Sequence, residues 1–439
     1  MKFYFRDEEL KELEILRKQS TQGSKMAVLT GRRRVGKTSL AIEFTKNKRF
    51  VYLFVARKSE LMLCQGFIEE IKKKLDIVIH GKIETFKEIF SVLMEHAQNQ
   101  HFTLIIDEFQ EFYNINSSVY SDVQNIWDLE KNNTKMNLIF IGSIYSMMHK
   151  IFEGANEPLF GRADRVFKLK PFTISQLKII LADYNVRDVE SLFEFYVITG
   201  GTPKYLDILL SNQCTTFNKV LDFMLKENSP FLDEGKNQII EDFGSQHAIY
   251  FSILELIARG KTSASEIEPL IQKNVSSYLD KLEKDYNLIS KFKPINAKPN
   301  SKLQKYHIVD NFLKFWFRFI YKNREAIELR NFQYIKTVIQ QGFDTYSGKI
   351  LEKFFYELLA ATGKYNRQGS YWERGFANEI DIVAVNDLEK IIVLVEVKKN
   401  KNKINLALLA HRAENLLSQY KGYTVQYLGL GLENAAEYL

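Results

Sequence analysis

At 439 residues, with 45% hydrophobic and 26% charged positions and only seven prolines, the chain is too long for one ordinary core and too apolar for a disordered tail. Its two cysteines, Cys64 and Cys214, lie far apart without C-x-x-C spacing, which excludes a disulfide framework or zinc cluster and fits a reducing compartment. The net charge of +7 is concentrated: positions 291–324 hold nine Lys or Arg against Asp310 alone, a local excess of +8.

No run of about 18 uncharged apolar residues occurs, and the segment MKFYFRD at the start meets charge at once, so the expectation is a cytoplasmic protein without a membrane partner. The seven histidines show no metal spacing. Residues 1–20 read as a helix with Leu10, Leu13 and Leu16 on one face. An apolar run at 26–30 suits a buried strand, and 39–44 continues as a helix. Between them Gly31, Arg32, Arg33, Arg34, Val35, Gly36, Lys37 and Thr38, followed by Ser39, satisfy every fixed position of G-x-x-x-x-G-K-[ST]. Glycines let consecutive backbone N–H groups line one concavity for phosphate oxygens at a helix N-terminus. Lys37 is then the cation for the outer phosphates, and the Thr38 hydroxyl a Mg²⁺ ligand.

A second strand is expected at 49–56, amphipathic helices at 61–75 and 83–97, and a third strand at 102–107 ending in Asp107 and Glu108. An acid pair at a strand end, about 70 residues after a phosphate loop, is the Walker B pattern. Asp107 would hold Mg²⁺, and Glu108 would orient and deprotonate a water. The strand at 136–141 leads to Ser143, read either as a sensor of the γ-phosphate or as a helix cap. A fifth strand at 165–169 is preceded by Arg162, which would serve as a charge for a nucleotide or as a surface salt bridge. Strands alternating with helices after such a loop indicate a parallel α/β sheet with ligand at the strands' C-terminal ends.

Five segments in order resemble the prokaryotic AAA-like P-loop ATPases related to the STAND class. They are F-x-x-R-x-x-E-L at 3–10, the phosphate loop, IDEFQ at 106–110, IGS at 141–143 and TGGTPKYL at 199–206. The resemblance covers residues 1–240. It implies ATP as cofactor, a helical lid after the sheet, and an ATPase used as switch or motor, with an oligomer as one form of such proteins.

Residues 245–320 resemble a winged helix: helices at 249–258, 263–271 and 275–284, then strands at 288–292 and 306–309 flanking a basic loop. A basic wing at 291–324 would sit on DNA phosphates, giving affinity and not sequence readout, or belong to a module that binds a protein partner. Last, Glu352 lies on an apolar-periodic helix, Asp381 on a strand, and Glu396 and Lys398 two apart on the next strand, hence on one face. This set resembles the PD-(D/E)XK nuclease superfamily over 345–425, with Asn378 and Glu379 where the name has proline. It implies Mg²⁺ on Asp381 and Glu396, with Glu352 and Lys398 completing the catalytic group. An idle copy of that fold, or a surface charge pair, carries the same letters. The basic run at 398–403 lies beside it.

The architecture expected is thus α/β throughout: a P-loop NTPase core at 1–170, a helical lid at 171–244, a winged helix at 245–330 and a restriction-endonuclease-like domain at 331–439. The function expected is ATP hydrolysis coupled to DNA binding and cleavage, or a nucleotide-controlled switch whose tail only binds.

Overall fold

Strands that read as near-continuous apolar runs have to be covered on both faces, and here they are. In the computed structural model, which describes residues 1–79, 81–142, 145–243, 247–298 and 300–439, the strands β1 (Lys25–Thr30), β2 (Phe50–Phe54), β3 (Phe102–Asp107), β4 (Met136–Gly142) and β5 (Arg165–Lys168) form one sheet. Their order is β2-β3-β4-β1-β5 and every pairing is parallel. Met26 and Val28 enter one hydrophobic cluster while Ala27 and Leu29 enter another, and β3 and β4 divide in the same way. Helices α1 (Asp7–Gln19) and α2 (Lys37–Thr45) cover one face with Leu13, Leu16, Leu40 and Phe44. The helices Glu60–Leu75, Phe86–Asn99 and Val119–Glu130 cover the other.

Because β4 lies between β1 and β3, the ends of all three strands are adjacent, and the segments leaving β1 and β3 share one edge of the sheet. Arg162 lies at the opposite edge. It precedes β5, whose first paired residue, Arg165, sits beside Ala27 near the start of β1. With about 3.3 Å per strand residue, the length of β1 separates it from the phosphate loop. Its guanidinium is held by Asp128 at 2.8–3.2 Å and by the Phe160 carbonyl at 3.0 Å. Arg162 is thus placed in a surface ion pair, at the end of β1 away from the phosphate loop of its own chain. Ser143 lies outside the described residues.

These strands belong to one of two units, residues 2–171 with 284–287; the other holds Met1, 172–283 and 288–439. The second unit begins with the helices Ile174–Asp183, Val189–Thr199, Pro203–Ser211, Phe217–Met224 and Pro230–Phe243. Gly200 and Gly201 turn the chain between two of them with φ of 57° and 73°. A Cβ on Gly201 would stand 2.2 Å from the Phe172 carbonyl oxygen, so only glycine fits there. Pro203 then opens the next helix, and Tyr205 is buried against Phe312.

Three further helices, His247–Ala258, Ala264–Ile271 and Ser276–Lys284, precede an antiparallel pair, β6 (Ile289–Phe292) and β7 (Lys305–Ile308). The long helix Phe332–Ala361 leads to a four-stranded sheet of β8 (Arg367–Tyr371), β9 (Ile380–Asn386), β10 (Ile391–Val397) and β11 (Thr424–Leu430), in the order β11-β10-β9-β8. β8, β9 and β10 run antiparallel in turn, and β11 returns parallel to β10.

The basic stretch at 291–324 is less available than its charge count suggests. Lys291 is ion-paired with Glu283 at 3.2 Å and Asp280 at 3.7 Å, and Lys305 with Glu379 at 2.9 Å. Lys314 is half-buried, and burial pushes its ammonium down to about 8. Between β6 and β7 the chain is docked: Ile295 donates its N–H to Ser370 on β8 at 2.9 Å, and its side chain packs into the core of the four-stranded sheet. Only Lys298, Lys302, Lys322 and Arg324 of the nine are exposed.

The helix Pro230–Phe243 meets the segment Trp316–Ile320 at a glycine. A Cβ on Gly235 would stand 2.2 Å from the Trp316 ring, which the Leu232 carbonyl holds by its indole N–H at 2.9 Å. Alanine at mid-helix is ordinarily better than glycine by about 1 kcal/mol. Overpacking against a fixed ring costs about 1–3 kcal/mol. Gly235→Ala should therefore lower the melting temperature, which calorimetry would measure; an unchanged or raised value would show that the ring moves aside.

Candidate functional site

The phosphate loop is shaped by backbone conformation. Gly31, Arg34 and Gly36 have φ of 144°, 71° and 90°. A Cβ on Gly31 would lie 2.4 Å from the Leu169 carbonyl oxygen, so the loop hugs the segment after β5 and only glycine is tolerated. Val35 is buried and anchors the loop, while Arg32 and Arg33 are half-buried and Arg34, Thr38 and Ser39 are exposed. Lys37, in the first turn of α2, folds its ammonium over the loop and donates to the Gly31 and Arg32 carbonyls at 3.0 and 2.9 Å. Burial pushes its pKa down to about 8 against the opposing charges of Glu108 and Asp107.

Across the sheet edge the Asp107 carboxylate is fully engaged. One oxygen accepts from the Thr38 hydroxyl at 2.7 Å and from the Tyr52 hydroxyl at 2.7 Å, and the other from the Glu108 N–H at 2.9 Å. Burial, the Asp107 charge and this hydrogen bond keep the Tyr52 phenol protonated by raising its pKa. Glu108 stands in the left-handed region at φ 56°, a conformation that non-glycine residues rarely adopt and that clusters at functional sites. Its carboxylate accepts from the amide of Gln110, a fully buried side chain.

This arrangement fits a nucleoside triphosphate. At Gly31 the loop leaves no room for a side chain, the buried Lys37 ammonium lies over the loop, and two oxygen groups, Thr38 and Asp107, stand within hydrogen-bond distance of each other. These are the ligands that a hard divalent cation takes. Tyr52 was not foreseen as part of the site. It lies at the middle of a strand read only as apolar, and the signal was the single hydroxyl-bearing residue in that run.

The first half of the chain, residues 3–209, matches a family described as an ATPase domain predominantly from Archaea. The chain is also 31% identical over 407 residues to the uncharacterized protein MJECL04 of Methanocaldococcus jannaschii, covering 90% of this chain and 87% of that protein. It belongs to that protein's family, and its N-terminal half is an ATPase domain. The fold agrees: the Walker-type ATPase paby2304 of Pyrococcus abyssi is similar with a TM-score of 0.54 at 21% identity, over 72% of this chain and 96% of that one. Residues 316–409 match a second family, described as archaeal and bacterial proteins of unknown function.

That second match spans Glu352, Asp381, Glu396 and Lys398. The hairpin of β9 and β10 brings Asp381 beside Glu396: Asp381 accepts the Val397 N–H at 2.8 Å, and the Lys398 ammonium lies 2.8 Å from Glu396 and 3.7 Å from Asp381. Both carboxylates are nearly buried, at 8% and 7% exposure. Glu352 comes from the long helix that packs on β9 and β10. Burial and the Asp381 charge push its carboxyl up to about 7, and burial likewise raises Asp381. Among the described residues no group of three or more His, Cys, Asp or Glu side chains could hold a metal, so a cation here would rest on the pair Asp381 and Glu396. Three participants escaped the sequence reading. Arg412 lies 3.5 Å from Glu396, Lys349 lies 3.0 Å from Glu352, and Glu379 lies 3.6 Å from Lys349.

For the ATPase domain, Glu108→Gln should lower kcat by about 10²–10⁴ with nucleotide binding retained, since it removes the base and keeps the shape. Tyr52→Phe should cost less, about tenfold, as expected for one hydrogen bond to a carboxylate. Steady-state hydrolysis beside fluorescent-nucleotide binding separates them, and equal losses would contradict the assigned roles. Because Lys37 has a depressed pKa near 8 in the free protein, nucleotide affinity should fall as pH rises through that value and the ammonium loses its proton. A binding isotherm flat from pH 7 to 9 would contradict it.

Proposed function

We propose that the chain is an ATP-dependent nucleic-acid-processing enzyme, in which ATP hydrolysis at Lys37, Thr38, Asp107 and Glu108 gates Mg²⁺-dependent phosphodiester cleavage at Glu352, Asp381, Glu396 and Lys398. The observation that carries the reading is the Lys398 ammonium, 2.8 Å from Glu396 and 3.7 Å from Asp381. It joins two buried carboxylates from neighbouring strands beside a helical glutamate, in the pattern of the PD-(D/E)XK nucleases. Mg²⁺, when bound at such sites, offsets phosphate charge and acidifies water.

The chain's own groups divide the work. In the ATPase domain Lys37 and the loop amides bind phosphate oxygens, Thr38 and Asp107 offer oxygen ligands, and Glu108, steadied by Gln110, takes a proton from water. In the C-terminal domain Asp381 and Glu396 offer oxygen ligands, and Lys398 balances charge on the phosphate. Glu352, with its carboxyl near 7, is able to exchange a proton at neutral pH. The helices between 247 and 284 and the β6–β7 pair follow the order of a winged helix, whose exposed cations Lys298 and Lys302 suit contact with a phosphate backbone.

A second reading has its own observation. Each of these four side chains already has a partner of opposite charge: Glu352 has Lys349, Asp381 has Lys398, and Glu396 has both Lys398 and Arg412. A site so neutralised suits a nucleotide-controlled switch of STAND type whose C-terminal domain is idle and binds nucleic acid or a protein. One assay separates the two: cleavage of labelled duplex, single-stranded and branched DNA with Mg²⁺, with and without ATP, beside Asp381→Ala. Cleavage that the substitution abolishes is expected. ATP hydrolysis without any DNA cleavage would leave the switch.

A further inference from the structure

An edge strand leaves every second residue with its backbone N–H and C=O turned away from the one strand it pairs with. In the four-stranded sheet one edge is β11. The Thr424 N–H donates to the Lys390 carbonyl at 2.7 Å, and the Lys398 N–H donates to the Leu430 carbonyl at 3.1 Å, so residues 424, 426, 428 and 430 face β10. Val425, Tyr427 and Gly429 therefore turn their backbone groups outward, and among the described residues nothing pairs with those groups. β11 runs for seven residues, none of them charged and none proline. An open edge of that length and composition is a template for another strand.

The other edges of the two larger sheets are protected. β8 carries Arg367 and a register shift between Gly369 and Tyr371, and the Ile295 N–H takes its Ser370 carbonyl at 2.9 Å. β5 has Arg165 and Lys168 at its two ends. β2 is uncharged, but Lys48 and Arg49 precede it and Arg57 and Lys58 follow it, so a second copy laid antiparallel would oppose cation to cation. The ends of β11 are of opposite sign. Lys421 precedes the strand and Glu433 follows it, each six positions from Tyr427 and each exposed. Antiparallel pairing of two β11 strands about Tyr427 thus brings the Lys421 end of each copy to the Glu433 end of the other.

We propose that the open edge of β11 is the docking surface for a second copy of this chain, the two strands pairing antiparallel about Tyr427. Val425 of one copy then lies opposite Gly429 of the other, and Tyr427 opposite its counterpart. These outward-facing residues are the ones that exchange both bonds, so about six N–H···O=C bonds close the pair. The side chains of Val425 and Tyr427 pack on the core of their own sheet, and the pairing leaves them there. At the rim Lys421 meets a carboxylate of opposite charge, which selects this orientation over a parallel one. The two-fold axis stands perpendicular to the joined sheet. Glu396, in register with Gly429, is therefore on the same face in both copies, roughly 20 Å from its counterpart at about 4.8 Å between strands and 3.3 Å per residue.

Sedimentation velocity of the full chain without nucleotide, from micromolar to the highest soluble concentration, should show a reversible monomer–dimer equilibrium. It should be weak, because one strand pair buries less than a standard interface. Val425→Pro removes an outward N–H and leaves the bonds to β10 in place, so it should abolish the dimer; its melting temperature checks the fold. Lys421→Glu and Glu433→Lys should each weaken the dimer about three- to fivefold, the size of an exposed charge contact, and the double reversal should restore it. Amide exchange in residues 424–430 should slow as concentration rises. A chain that is monomeric throughout leaves the edge to a strand of another protein, and a dimer indifferent to all of these substitutions forms through another surface; either result overturns the proposal. If Val425→Pro fails to fold, the charge reversals decide alone, and two weakened single variants without recovery in the double one would overturn the antiparallel register. None of these outcomes turns on whether Asp381 is needed for DNA cleavage.

Discussion

Burial of the parallel sheet on both faces is the constraint from which the rest of the ATPase domain follows. A strand covered on two sides has no face to spare for polar chemistry, so charged and hydroxyl groups are confined to its ends. β1, β3 and β4 are apolar for nearly their whole length, and their C-terminal ends lie side by side. The loop after β1 and the acids ending β3 are thereby brought together without any long-range instruction beyond strand order. Tyr52 is the informative exception, an aromatic body in the sheet with its hydroxyl emerging at the Asp107 carboxylate.

The C-terminal sheet solves the same problem in another way. Here a tight antiparallel hairpin sets two acidic side chains next to one another, and the cost of burying them is met by the ammonium of Lys398 and a backbone N–H. The elements flanking the hairpin add Lys349, Lys305 and Arg412, so that no carboxylate of the group faces the interior alone. Two of these cations tie separate elements together, Lys349 through Glu352 and Glu379 and Lys398 through Glu396 and Asp381.

What was legible in the sequence was local. The phosphate loop and the paired acids are short patterns whose chemistry depends on neighbours along the chain, and the sheet places them as expected. The hairpin was legible too, because the turn after Asn386 sets the register that leaves Asp381 opposite Glu396. Contacts across the fold were not legible. The charge of 291–324 looked free because Asp280, Glu283 and Glu379 lie elsewhere in the sequence, though they are the partners of Lys291 and Lys305. Arg162 had two readings open, a charge for a nucleotide or a surface salt bridge, and only the fold places it: it precedes β5, at the end of the sheet away from the phosphate loop, paired with Asp128.

The docking of Ile295 on β8 separates two kinds of boundary that are often assumed to coincide. The second family match begins at residue 316, inside a helical segment whose Trp316 is locked to Leu232 and whose neighbour Asn311 donates to the Tyr196 carbonyl. Residues before that point, Ile295 among them, complete the surface of the sheet that follows it. The stretch that the second family match covers is therefore shorter than the stretch that folds together. A recombination event that exchanged the C-terminal region at residue 316 would strip one side of its apolar cover and leave the other with a hairpin that has nothing to rest on.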